Sequence, residues 1–290
     1  VSALRAVGAA PDPPTWQLPS GPPVSRAGVC RLAQPRLQQP QTTPRFRFQA
    51  ATVLLLLSGE LRLGADPAQH LGMTGRETPA LLLVEAGTTA DLVKLPGGPE
   101  GCFRSVFLDV APRQISALVR EHPAVLAGAS TGGSSDVRQV DLDDDLSAAL
   151  THVALSVADE RVSDARARYR ILDLLLALAE RGHTFRPPGE PTTADRVREL
   201  VADAPELRWT APQAGRALSV SEATLRRHLA REGTSFEALL LDVRMHHAVM
   251  LLQTTGWSLS HIAQACGYLS RSRFSERFRQ RFGTSPVAVR

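Results

Sequence analysis

Two rhythms of polar and apolar residues run along this chain, and the change between them falls near residue 110. Before it, apolar residues come in short runs at 52–57, 60–63, 80–84, 90–95 and 103–110. Gly72, Gly75, Pro79, Gly87 and Pro96-Gly97-Gly98-Pro99 punctuate the gaps. Runs of this length bounded by turn residues predict strands, and Ser58-Gly59 between the first two predicts a hairpin. Short strands at this spacing point to a small antiparallel barrel or sandwich. After it the rhythm is helical. Pro112 opens a helix reaching about Arg120, and 127–135 reads as a Gly/Ser/Ala loop. Asp143-Asp144-Asp145 set three carboxylates at the start of a helix over 146–158, where they suit the helix dipole. A further helix spans 164–181, ended by Gly182. Its residues Tyr169, Leu172, Leu176 and Ala179, widened by Leu175, form an apolar stripe that fits a core helix and a subunit interface alike. The segment PPGEPTT at 187–193 reads as an interdomain linker.

The last third carries two helix-turn-helix patterns in succession, about 210–231 and 258–281. In each, a short helix of small residues precedes a longer helix studded with arginine. The turns are 218–221 (LSVS) and 267–270 (GYLS). Thr210 caps the first short helix with Pro212 in its first turn; Ser221 and Ser270 cap the two longer helices. Leu225 and Leu229 form the apolar stripe of one long helix, and Phe274, Phe278 and Phe282 that of the other. A helix over 236–253, capped by Ser235, joins the units. One arginine-rich amphipathic helix is commonly just a solvated face. Two in register, each with a capping serine and a tight turn, suit a protein that lays two helices into successive major-groove segments.

Charge sharpens this picture. The 290 residues carry a net +4, but residues 192–290 hold 14 Arg against 9 Asp plus Glu, leaving −1 on the rest. Basicity therefore sits where DNA contact requires it. Lys94 is the single lysine. Cys30, Cys102 and Cys266 are odd in number and widely spaced, which fits a reducing cytoplasm better than a disulfide framework or zinc site. The longest apolar run, 50–57, is too short to span a bilayer. No signal segment is legible, and residues 1–23, with six prolines, read as a flexible arm.

Particular residues carry a family resemblance. They are Trp209-Thr210, Ser221, Leu225, Arg227, Leu229, Gly233-Thr234-Ser235-Phe236, Arg244, Ala248, Leu251-Leu252, Ser258, Ile262-Ala263, Gly267-Tyr268, Phe274, Phe278, Phe282-Gly283 and Ser285-Pro286. Through them, 192–290 resembles the DNA-binding domain of the AraC/XylS family of bacterial transcription regulators. Residues 232–236 and 242–245 look most like a branch that includes acid-resistance and virulence regulators. Gly215 departs from the family's usual alanine, which costs helix propensity. Ala288-Val289-Arg290 lacks the usual aromatic before the final arginine.

The resemblance implies that Ala223, Thr224, Arg226 and Arg227, then Ser272, Arg273 and Glu276, read base edges. The chemistry agrees: Arg takes guanine, Glu accepts from cytosine, and Ala or Thr meets a thymine methyl. Arg231, Arg271 and Arg279 fall to phosphate. It also implies an α+β chain: a cupin-like small antiparallel β-barrel with helices over 24–186, the linker, and an all-α DNA-binding domain over 194–290. Residues 169–183 resemble the dimerisation helix of the virulence branch, with Tyr169, Leu172, Leu175 and Leu176 at the seam.

A metal-dependent cupin enzyme is the rival, but only His70 lies in the strand region, and the adjacent His246 and His247 do not face each other on a helix. An alkyl-transfer protein needs clustered cysteines, and a structural DNA binder without effector response stays open. The reading is a non-enzymatic cytoplasmic regulator, nucleoid-associated when bound, without catalytic residue, metal or cofactor. Its expected partners are double-stranded DNA, RNA polymerase and a second copy of itself. A small-molecule effector and the direction of regulation are left open.

Overall fold

The computed structural model describes residues 21–64, 71–74, 79–124 and 135–290. Residues 1–20 of the segment expected as an arm over 1–23, His70, and residues 127–134 of the loop expected over 127–135 lie outside them. The β-rich part comprises β1 (Val24–Arg26), β2 (Cys30–Ala33), β3 (Arg36–Leu37), β4 (Gln41–Arg47), β5 (Ala51–Ser58), β6 (Glu60–Gly64), β7 (Leu71–Thr74), β8 (Ala80–Val84), β9 (Thr89–Leu95) and β10 (Phe103–Val110). Then come α1 (Pro112–Glu121), β11 (Val137–Val140), α2 (Asp144–Ala158) and α3 (Asp164–Glu180).

These strands do not close into a barrel, which corrects the cupin-like expectation. They form two open antiparallel sheets. One runs β1-β2-β10-β5-β8-β11, with β3 also paired to β10; the other runs β4-β9-β6-β7. Among the described residues no ladder joins their edges. The sheets are held instead by side chains: Leu54, Leu56, Leu82, Val84, Phe103 and Phe107 of the larger pack with Phe46, Leu61, Leu63, Ala90 and Leu92 of the smaller.

The hairpin expected at Ser58-Gly59 is corrected too. β5 pairs with β8 and β10, whereas β6 pairs with β7 and β9, so the chain passes from one sheet to the other at this turn. Gly59 has φ +88°, and a Cβ there would meet the Leu95 carbonyl oxygen at 2.5 Å, so the crossing requires glycine.

The larger sheet is buried on both faces. Val53, Leu55, Leu81, Leu83, Val106 and Leu108 face away from the smaller sheet and pack with Ile115, Leu146, Leu150, Val153, Ile171, Leu174 and Leu178 of α1 to α3. Double burial explains why β5 is apolar from Val53 to Leu57 without a break rather than an alternating strand. Asp143 caps α2 by accepting from the Leu146 amide at 2.8 Å, and Arg181 clamps Asp143 and Asp145 from the end of α3 at 2.8 and 2.9 Å.

The helical part comprises α4 (Thr193–Asp203), α5 (Ala211–Ala217), α6 (Glu222–Arg231), α7 (Phe236–Thr254), α8 (Leu259–Ala265) and α9 (Arg271–Phe282), with a closing 3-10 turn at Pro286–Val289. It has two cores. Val197, Val201, Ala211, Ala214, Leu225, Leu229, Phe236, Leu239 and Val243 enclose their own, around α4 to α6 and the start of α7. The rest of α7, with α8, α9 and the 3-10 turn, contributes Met245, Val249, Leu252, Ile262, Phe274, Phe278, Phe282 and Val289 to the same cluster as the two facing sheets. No helix among the described residues is long and apolar enough to cross a membrane.

Candidate nucleic-acid interface

Both helix-turn-helix units are built by short-range bonds. In the first, Thr210 and Gln213 form a reciprocal capping box on α5, and Ser221 accepts from the Thr224 amide at 3.1 Å to start α6. The turn between them places Ser219 at φ +60° and closes through the Val220 amide donating to the Gly215 carbonyl at 2.8 Å. A Cβ on Gly215 would meet the Val220 carbonyl oxygen at 2.8 Å. The missing methyl thus lets the turn approach α5 more closely than alanine would. Glu232, just past α6, accepts from the Thr193 and Ala194 amides at 2.9 and 2.7 Å and pins the start of α4. Its partial burial opposes charge, but these two amides prevail and hold its carboxyl below the usual value.

In the second unit, Ser258 accepts from the His261 amide to start α8, and Ser270 accepts from the Arg273 amide at 3.2 Å to start α9. Phe274, Phe278 and Phe282 are buried, their successive rings 5.9 and 4.8 Å apart. Gly283 ends the helix in the left-handed conformation at φ +71°.

Arg244 of α7 joins the units. Its guanidinium donates to the carbonyls of Pro205 and Leu207 at 3.2 and 2.6 Å, before α5, and lies 5.5 Å from the Tyr268 ring in the turn after α8. The residue was legible as a family mark, but its role as a tie between units was not, because its partners are backbone carbonyls far along the chain.

Ala223, Arg226 and Arg227 on α6, and Ser272, Arg273 and Glu276 on α9, are exposed. Thr224 is partly buried, and its Oγ1 accepts from the Ser221 hydroxyl at 2.9 Å. Arg226 is held sideways by Glu222 at 2.9 Å and Glu237 of α7 at 3.3 Å. Arg227, Arg231, Arg271, Arg273 and Arg279 are exposed, with no ion-pair partner among the described residues. Each long helix therefore buries one apolar stripe and offers uncommitted guanidinium groups on the opposite side, suited to phosphate or guanine.

Away from this surface, the four seam residues on α3 separate. Leu175 is buried in the core, Leu172 and Leu176 are half-buried, and Tyr169 is 69% exposed. The buried stripe of α3 is Ala167, Ile171, Leu174, Leu175, Leu178 and Ala179; it shares Leu175 and Ala179 with the stripe expected and leaves Tyr169, Leu172 and Leu176 to one side.

The helix-turn-helix domain model matches residues 215–290. The urease operon transcriptional activator of Escherichia coli is 32% identical over 121 residues, covering 40% of this chain and 41% of that protein. The HTH-type transcriptional regulator YdeO of Escherichia coli K12 is 39% identical over 106 residues, 37% and 42% of the two chains. The virulence regulon transcriptional activator VirF of Shigella flexneri is 32% identical over 93 residues, 32% and 36% of the two. The matched region thus spans about two fifths of these relatives' length. Likeness in fold extends further. An apo crystal structure of ToxT from Vibrio cholerae has a TM-score of 0.59 at 13% identity, over 91% of this chain and 97% of that one. An unsaturated fatty acid-bound ToxT gives 0.55 at 12%, over 89% and 93%.

Proposed function

We propose that this chain, whose C-terminal third is similar to transcriptional regulators and matches a helix-turn-helix domain, is a member of the AraC/XylS family and a non-enzymatic, sequence-specific DNA-binding regulator working in the cytoplasm. The observation that carries this reading is the tandem of capped helix-turn-helix units. Each leaves unpaired arginines opposite its buried stripe, and Arg244 ties the two together. In this reading α6 and α9 enter successive major-groove segments. Ala223, Thr224, Arg227, Ser272, Arg273 and Glu276 read bases, and Arg231, Arg271 and Arg279 hold phosphate. Arg226 reads a base only after release from Glu222 and Glu237.

We assign the region 194–290 to DNA and 24–186 to assembly and sensing, with RNA polymerase as the partner at promoters. A homodimer through the outer face of α3 is supported by Tyr169, which is exposed, and by Leu172 and Leu176, which the core leaves half-buried. A small-molecule effector is supported by the fold shared with fatty acid-bound ToxT. Thiol chemistry is disfavoured at two of the three cysteines, because burial pushes the Cys30 and Cys266 thiols up to about 12.

The test is duplex binding by the full chain across a salt series, with selection of preferred sites from random DNA. Steep loss of affinity with salt and a recovered motif are expected. A folded chain without salt-sensitive duplex binding overturns the reading.

A further inference from the structure

The one lysine of this chain is fully buried between the smaller sheet and α7, with no carboxylate beside it among the described residues. Lys94 Nζ donates to Gln253 Oε1 at 2.6 Å, Gln253 Nε2 to Gln41 Oε1 at 2.7 Å, and Gln41 Nε2 to Thr43 Oγ1 at 2.8 Å. The Phe107 and Phe103 rings lie 4.9 and 5.7 Å from the amine. Every partner is neutral, so a charged Lys94 has no counter-ion there.

The same face buries one histidine, and a second follows it on α7. The His246 ring sits 4.8 Å from Phe46 of β4, and His247 follows, half-buried. The charged groups that bear on them are Arg31 of β2, Arg281 of α9 and Asp242 of α7. Asp242 already accepts from Gln49 and Arg281, both at 2.8 Å. Arg281 and Arg45 exchange guanidinium-to-carbonyl bonds, and Arg31 donates to the Ala202 carbonyl at 3.0 Å. Three basic side chains thus lie where the second helix-turn-helix unit joins the sheets: Lys94 among neutral partners, and His246 and His247 near two arginines and an Asp242 that already serves Gln49 and Arg281.

We propose that this face is a proton-operated latch: acid drives protons onto Lys94, His246 and His247 and releases α7 and α9 from β4 and β9. Burial lowers Lys94 to about 7, and with the neighbouring cations it lowers His246 to about 3; burial and Arg31 lower His247 to about 4. The open form regains ordinary values. It therefore binds more protons than the closed form between pH 7 and the usual lysine range, and again between pH 3 and the usual histidine range. Closure weakens as pH falls through each window, and Lys94 has exerted its full effect by pH 7. Because Arg244 ties the two units on the same α7, opening releases them as a pair. The latch is a property of the fold; only its consequence at DNA rests on the proposed function.

The test uses the full chain with spin labels at Arg161→Cys and Gln280→Cys, one on each side of the face and both exposed. Pulsed electron resonance would read their separation at about pH 9, 7 and 5.5. A longer-distance population that grows at each step down is expected. Lys94→Met should abolish the change between the upper two steps and leave the lower one. His246→Phe should reduce the lower one. Lys94→Leu serves if the methionine variant does not fold, and the wild-type series decides by itself. A folded wild type with the same distances throughout, or a Lys94 variant that keeps the upper change, overturns the latch. Duplex binding measured in parallel separates the two readings: opening with acid but no DNA affinity keeps the latch and removes the regulator.

Discussion

The Arg244 guanidinium donates to the Leu207 carbonyl at 2.6 Å, and so one side chain of the connecting helix holds the backbone that leads into the first helix-turn-helix unit. Arg244 is 8% exposed, and its second carbonyl, Pro205, is bonded at 3.2 Å. Removing the guanidinium strands two acceptors. Arg244→Met is expected to lose about 1–3 kcal/mol of stability in denaturant unfolding. Arg244→Lys should recover only part of that, because one ammonium lacks the planar fork. An unchanged midpoint in Arg244→Met would show that the tie is incidental.

Base reading and phosphate contact predict different phenotypes. Arg273→Ala should cost about 1–3 kcal/mol at the preferred site and relax selection at one or two base pairs. Arg279→Ala should weaken all sequences alike and lower the salt slope by about one. Identical selected motifs for wild type and Arg273→Ala would refute the assignment. Glu237→Gln removes one of the two carboxylates holding Arg226, and a shift in the selected motif is expected from it.

The two faces of α3 predict a split between assembly and folding. Leu175 lies 3% exposed in the core, so Leu175→Glu buries an unpaired charge and should unfold the chain. Tyr169 lies 69% exposed, so Tyr169→Glu should leave the melting temperature nearly unchanged while sedimentation shows a monomer. A folded dimer from Tyr169→Glu would move the interface elsewhere.

Gly215 sets helix propensity against packing. Alanine gains about 1 kcal/mol of propensity in a helix interior. Its methyl would, however, meet the Val220 carbonyl oxygen at 2.8 Å, and overpacking costs typically about 1–3 kcal/mol. Gly215→Ala is therefore expected to lower the melting temperature slightly. A clear rise would show that the turn after α5 relaxes freely.

The parts legible in the sequence are those whose physics is local. A serine cap, a tight turn and apolar residues at i and i+4 act within a dozen residues. Ser221 with Leu225 and Leu229, and Ser270 with Phe274 and Phe278, therefore specify their helices without reference to the rest of the chain. Strand partners are not local. β5 is apolar on both faces, so its pattern carries no trace of which neighbour it takes, and an apparent hairpin at Ser58-Gly59 became a crossing between two sheets. The stripe on α3 was visible, but the face that meets the core was chosen by the larger sheet, which took Ile171, Leu174 and Leu178 and left Tyr169 outside. Lys94 stands out in the sequence only as the single lysine; the meeting of β4, β9 and α7 makes it a buried amine bonded to Gln253. The second helix-turn-helix unit looked self-contained because its caps and stripes are, yet its phenylalanines lie in a core shared with residues some two hundred positions earlier. That sharing depends on which surfaces exclude water together, and only the tertiary structure decides it.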